Sequence, residues 1–172
     1  MPEPALSITM SIKGMEELSK RFRDPQTVGR AARKGLSQMG QAVRREAVQR
    51  APVGVSGGGG GLRGSIVVQV ERGPIPLEAR VGPTVAYGAP VEFGSRPHMP
   101  PVSALIDWVR LKAARGAPNP ERIAWAIART IARRGTRAQP YMRPGLRAAR
   151  VRIRKIADKM ALEIARAMGG VR

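Results

Sequence analysis

Two stretches of this chain carry unbroken helical stripes, and they constrain its fold more than any other feature. From Val28 the apolar positions run Ala32, Leu36, Met39, Val43 and Ala47, spaced 4, 4, 3, 4 and 4. From Leu146 they run Ala149, Ile153, Ile156, Met160, Ile164 and Ala167, spaced 3, 4, 3, 4, 4 and 3. That spacing keeps one face of an α-helix apolar. Asp24-Pro25 supplies a cap and a first helical position, and Pro52 stops the first helix. It should span Pro25 to about Arg50; the second should span about Leu146 to Met168. Gly29, Gly35 and Gly40 cost the first helix about 1 kcal/mol each relative to Ala. Glycines so placed permit close packing of another backbone.

Between the stripes the period changes from helix to strand. Ser7 to Ile12 alternates polar and apolar residues, which reads as a short strand. Lys13-Gly14 ends it, and Met15, Leu18 and Phe22 then share one helical face. Ser65 to Glu71 is rich in Val and Ile, Gly73-Pro74-Ile75-Pro76 is a turn, and Leu77 to Val81 alternates cleanly. These form a hairpin with Leu77, Ala79 and Val81 toward the core and Glu78 and Arg80 toward water. Gly82-Pro83 should end that strand, and Tyr87 should end another. Pro90 and Gly94 suit a single helical turn, with Gly94 just past its end at positive φ.

Ser95 to Pro101 holds three prolines and reads as a stiff, irregular loop. Val102–Ala114 and Pro120–Arg134 read as helices joined by a linker from Gly116. Ile123, Ile127 and Ile131 mark one face of the second, and Gly135 ends it. Gln139 to Gly145 is a second proline-bounded segment.

The material for a core is thin. Of 172 residues, 37 are Leu, Ile, Val or Phe, and 24 are Ala. A thin core makes support from neighbouring subunits more valuable. The chain should be α+β: a small, mainly antiparallel sheet packed by a long N-terminal helix and a C-terminal helix, with a two-helix insertion. We expect one domain over residues 1–172, with a flexible glycine loop at 52–61 and the helical insertion at 102–137.

Several chemistries drop out. Cys is absent and His98 is the sole histidine, so thiolate and His-rich metal sites and Cys nucleophiles are excluded. His98 stands at no recognised motif spacing from a Ser or Asp, and a structural or incidental role is expected. Glu92, Asp107 and Glu121 are single carboxylates, with no second acid at a motif spacing. Glu92, between Val91 and Phe93, suggests a partly buried carboxylate paired with an Arg. The glycine run Gly57–Gly61 is followed by Leu62-Arg63-Gly64-Ser65, without the Gly-Lys-Ser/Thr of a phosphate loop. It reads as a flexible tether. No enzyme and no cofactor are expected. Neither a secretory signal nor a membrane span of about 20 apolar residues is visible, so the expected place is the cytoplasm, without membrane contact.

The formal charge is +19. Residues 129–172 hold 13 basic and 2 acidic groups, a net +11. Arg outnumbers Lys 25 to 6, which fits bidentate contacts to phosphate or carboxylate and equally a GC-rich genome or a hot habitat. Arg143, Arg147, Arg150 and Arg154 form a basic face at helical spacing. Like charges so spaced repel by a few tenths of a kcal/mol per pair; they persist if solvated or if a polyanion or an acidic subunit faces them. Stacking aromatics are scarce and base-reading motifs absent, so the charge supports phosphate contact rather than base readout.

Three motifs carry a resemblance. Ala51-Pro52-Val53 followed by Gly61-Leu62-Arg63-Gly64-Ser65-Ile66 is similar to the A-P-V … G-x-L-R-x-S-I stretch of phage neck or tail-completion (head–tail joining) proteins, the HK-ninety-seven gene-product-ten-like family. Ala79-Arg80-Val81-Gly82-Pro83 with Tyr87 to Ser95 resembles its V-G-P … Y-A-x-x-V-E-F-G-T. Gln139-Pro140-Tyr141-Met142-Arg143-Pro144-Gly145-Leu146 resembles its x-P-F-L-R-P-A-L. The order is the family's order, over about residues 14–101 and 135–168. Two features depart from the pattern: the helices inserted at 102–137 and the lengthened glycine loop.

The resemblance implies a structural virion protein. It would form a homo-oligomeric ring, six-fold favoured, between head-closure (connector) and tail-terminator proteins. Genomic DNA would pass through without sequence-specific contact. The place implied is the virion neck, after assembly in host cytoplasm. The insertion and the glycine loop are the expected docking surfaces. The residues expected at subunit or partner interfaces are Tyr87, Glu92, Phe93, Gly94, Arg96, Trp108, Tyr141 and Arg143. The alternative is a basic, sequence-independent DNA-binding protein.

Overall fold

The computed structural model describes residues 6–12, 25–53, 61–110 and 118–167. The face read at Met15, Leu18 and Phe22 and the glycines at 57–60 lie outside the described residues, as do positions 111–117.

Helix α1 runs Pro25–Arg50, the span its stripe predicts. All six stripe residues, Val28, Ala32, Leu36, Met39, Val43 and Ala47, are buried. Burying a side chain such as Leu36 or Val43 contributes about 1.5–3 kcal/mol. The three glycines of α1 do two different things. Gly29 lies against the Pro74 carbonyl, whereas Gly35 and Gly40 admit side chains, Met160 and Val68. Close backbone approach therefore holds at one of the three.

Strands β1 (Ile8–Ser11), β2 (Ile66–Val70) and β3 (Glu78–Pro83) form an antiparallel sheet in the order β1-β3-β2. Ile8 and Val68 both lie opposite Val81, and Met10 and Val70 opposite Ala79. Strand alternation therefore gathers these residues on one face, the face that α1 covers. Ala79 and Val81 are fully buried, as their pattern predicts. β3 does not stop at Gly82: Gly82 and Pro83 still pair with Val67 and Ile66. Pro83 sits at the strand's end, where a missing N–H costs no ladder bond.

Two local readings need correction. Leu62–Ser65 forms a helical turn, α2, before β2. Ser65 closes it, its N–H donating to Gly61 at 3.1 Å and its hydroxyl to Leu62 at 2.8 Å. No strand ends at Tyr87. Residues 84–87 form a turn, in which the Gly88 N–H donates to the Val85 carbonyl at 3.1 Å. Helix α3, Gly88–Phe93, follows as the expected single turn and ends at Gly94, whose φ is +80°.

Helix α4 spans Val102–Trp108 and widens into a looser turn at Val109 and Arg110. Helix α5 has its predicted bounds, Pro120–Arg134. The Asn119 side chain accepts from the Arg122 N–H, and Gly135 turns away with φ +71°. Its buried line is Ala124 and Ala128, with Ile123, Ile127 and Ile131 half-buried alongside. The small side chains let α4 pack close.

Helix α6 runs Met142–Ala167, starting four residues before Leu146. Proline is tolerated in a first turn because the N–H it lacks has no helical acceptor there, so Pro144 does not delay the start. α6 packs along α1, and among the described residues no other pair of elements meets over so long a seam. Gly145 marks a close approach: a Cβ there would lie 2.9 Å from the Ala47 Cα.

Candidate interaction surface

The buried carboxylate of Glu92 organises the region where α3 meets α6. Its side chain is 1% exposed. Tyr141 and Met142 donate their backbone N–H groups to Oε2 at 2.6 and 2.8 Å, and Arg143 donates to Oε1 at 3.1 Å. A helix N-terminus presents unpaired donors and a positive dipole end, which together stabilise an anion. The expected Arg partner is replaced: among the described residues no ion pair involves Glu92. A helix start 49 residues away in sequence takes that place.

Tyr141 is fully buried and donates its hydroxyl to the Gly88 carbonyl at 3.2 Å. Burial pushes its phenol well above the usual range, and the charges of Glu92 and Tyr87 push the same way. Glu92 and Tyr141 thus lie buried within the protomer. They shape a surface that their neighbours present. Phe93 is 52% exposed, and the Arg143 guanidinium stands over its ring, 5.0 Å from the centroid.

Gly94 and Gly135 flank a two-residue bridge. Ser95 and Thr136 exchange backbone hydrogen bonds at 3.1 and 3.2 Å, and their hydroxyls meet at 2.8 Å. Beside it His98 turns Nδ1 toward the Arg96 carbonyl at 2.9 Å and the Ser95 hydroxyl at 3.3 Å. Both contacts lie within its own loop. The Arg96 side chain is exposed.

The bridge ties α5 to α3 and leaves a cleft of about 590 Å³ between them. Tyr87 and Trp108, both expected at an interface, line it together with Val53, Val91, Ile131 and Arg137. Sequence reasoning missed these last four. Each stands alone in its own segment as an ordinary loop or helix residue. The signal available was the cluster of prolines bracketing Val53, Val91 and Ser95.

Arg143, Arg147, Arg150 and Arg154 are all exposed along one flank of α6. Further round, Val151 is 69% exposed and Leu162 42%. Among the described residues no helix is long and apolar enough to cross a membrane.

Residues 12–94 match the model of a family described as "Bacteriophage HK97-gp10, putative tail-component". The matched range takes in the first motif and the second as far as Gly94; Ser95 and the Gln139–Leu146 motif lie beyond it. No curated protein and no solved structure matches the chain. Through α1, the hairpin and α3, this chain is similar to the HK97-gp10-like family of phage tail components.

Proposed function

We propose that this protein joins the phage head to the tail as a neck ring, a homo-oligomer with six-fold symmetry favoured. It would sit between the head-closure and tail-terminator proteins, with genomic DNA passing through. The observation that carries this reading is the family match over residues 12–94, extended by the third motif at Gln139–Leu146 in the family's order. The core supports it in kind. Its buried residues are largely Ala, Val and Met, so a neighbouring subunit's burial would add stability that the protomer lacks. On this reading the chain is one domain, and α4 and α5 form an insertion at 102–137 that offers a docking surface.

The test is deletion of the gene from the phage genome. Filled heads and separate tails should accumulate, and supplying the protein should restore joining. Normal infectious particles from the deletion would end the proposal. The exposed Arg row of α6 favours a second reading, sequence-independent DNA binding. That reading predicts tight duplex binding by the isolated protein, weakening steeply with salt. Retention on duplex DNA that is unchanged between low and high salt would eliminate it.

A further inference from the structure

The cleft between α3 and α5 is apolar and open. Val53 is 54% exposed, Tyr87 48% and Trp108 38%, three large side chains along one concavity. Exposed apolar surface gathered in a concave site marks a place where another molecule binds.

Charge identifies the occupant. Arg137 lines the cleft, and exposed Arg63 and Arg96 follow its lining residues Leu62 and Ser95 in the chain. Arg63 directs its donors to the Ala51 and Gln49 carbonyls at the C-terminal end of α1, whose dipole favours a cation. Of the eight acids among the described residues, four are engaged in a cap or an ion pair. Glu92 caps α6, Glu46 pairs with Arg50, Glu78 with Arg80 and Glu163 with Lys34. The exposed carboxylate adjoining a lining residue is Asp107. A second copy carries 12 acids against 31 cations and no run of carboxylates longer than Glu16-Glu17 to seat here, so its ring contacts would lie elsewhere. Duplex DNA would meet the open Arg row of α6 more readily than a concave apolar wall.

We propose that this cleft docks an acidic segment of another virion protein. An aromatic or branched aliphatic side chain of that segment enters beside Trp108, and its carboxylates face Arg137 and Arg96. This inference rests on the reading of the chain as a joining protein.

The test uses the full chain carrying Trp125→Phe, which leaves Trp108 as its one tryptophan. The probe is the blocked peptide Asp-Asp-Phe-Asp-Asp-Leu-Asp-Asp, with octa-aspartate as the charge-only control. The peptide should shift Trp108 emission to the blue saturably, and octa-aspartate should not. Arg137→Glu should raise the Kd about tenfold or more, with an unchanged melting temperature showing that the fold is intact. An identical response to octa-aspartate, no saturable response to the peptide, an unaltered Kd in Arg137→Glu, or displacement of the peptide by duplex DNA would each overturn the assignment. Failure here leaves head–tail joining standing. Normal particles from the gene deletion would remove the joining role whatever the peptide does.

Discussion

Glu92 and Pro144 together account for the whole first turn of α6. Four backbone N–H groups at a helix start have no acceptor within the helix. Here those positions are Tyr141, Met142, Arg143 and Pro144. Glu92 accepts from the first three, and the fourth is a proline with nothing to donate. The helix's own ladder then begins with the Gly145 N–H donating to Tyr141 at 3.1 Å. Glu92→Ala would leave three donors unpaired, two of them buried and one part-buried, at about 1–3 kcal/mol for each buried one before relaxation. Urea unfolding should show a destabilisation of at least about 3 kcal/mol. Glu92→Gln should be intermediate, because its amide can accept through the oxygen but turns an NH₂ toward the remaining donors. Stability equal to wild type in Glu92→Ala would show that the cap contributes nothing.

Gly94 has φ +80° and ψ 171°, a region that is essentially glycine's alone and costs other residues about 1–3 kcal/mol. A Cβ there would also lie 2.7 Å from the Thr136 carbonyl oxygen. Gly94→Val should therefore lower the melting temperature severely, and Gly94→Ala less so. Wild-type melting of Gly94→Val would refute the assignment.

Tyr141 predicts an alkaline limit. The folded phenol holds its proton above its usual range because it is buried, whereas the unfolded phenol ionises near pH ~10. Above that pH the unfolded state binds fewer protons, so stability falls as pH rises. The contribution is fully present at neutral pH. Urea unfolding measured from about pH 8 to pH 11 should show this decline, and Tyr141→Phe should flatten it. In Tyr87→Phe protein, tyrosinate absorbance should appear only together with unfolding.

The α1–α6 seam should resist enlargement at Gly145. A Cβ there would meet the Ala47 N at 2.8 Å as well as its Cα. Overpacking against backbone costs about 1–3 kcal/mol or more, whereas Gly→Ala inside a helix gains about 1 kcal/mol. Gly145→Leu should destabilise strongly, and Gly145→Ala only mildly. A gain in stability from Gly145→Leu would show that the helices can part freely.

The Arg row should be stability-neutral. Arg147, Arg150 and Arg154 are exposed and lie at repulsive spacings. Replacing all three with Gln should leave the melting temperature equal or higher, within about 0.5 kcal/mol per site. If the row meets DNA, the salt slope of duplex binding should fall by about one unit for each phosphate that the variant no longer neutralises.

Local pattern carried much of this architecture. The stripe of α1, the alternation of the hairpin, the bounds of α5 and the positive φ at Gly94 were legible because each depends on residues within a few positions of one another. Helical and strand periods, caps and stops act at that range. The start of α6 was not legible, because its donors are satisfied by a carboxylate from a different helix, and nothing near Leu146 announces that. The cleft was half legible. Tyr87 and Trp108 stood out as aromatics, but Val53, Val91, Ile131 and Arg137 become one wall only after the Ser95–Thr136 bridge brings their segments together. Burial followed the same division. Glu92 reads from sequence as a partly buried carboxylate paired with an Arg, but the partner is a helix end, whose donors make a buried charge tolerable. Placing that helix end beside Glu92 is the work of long-range packing.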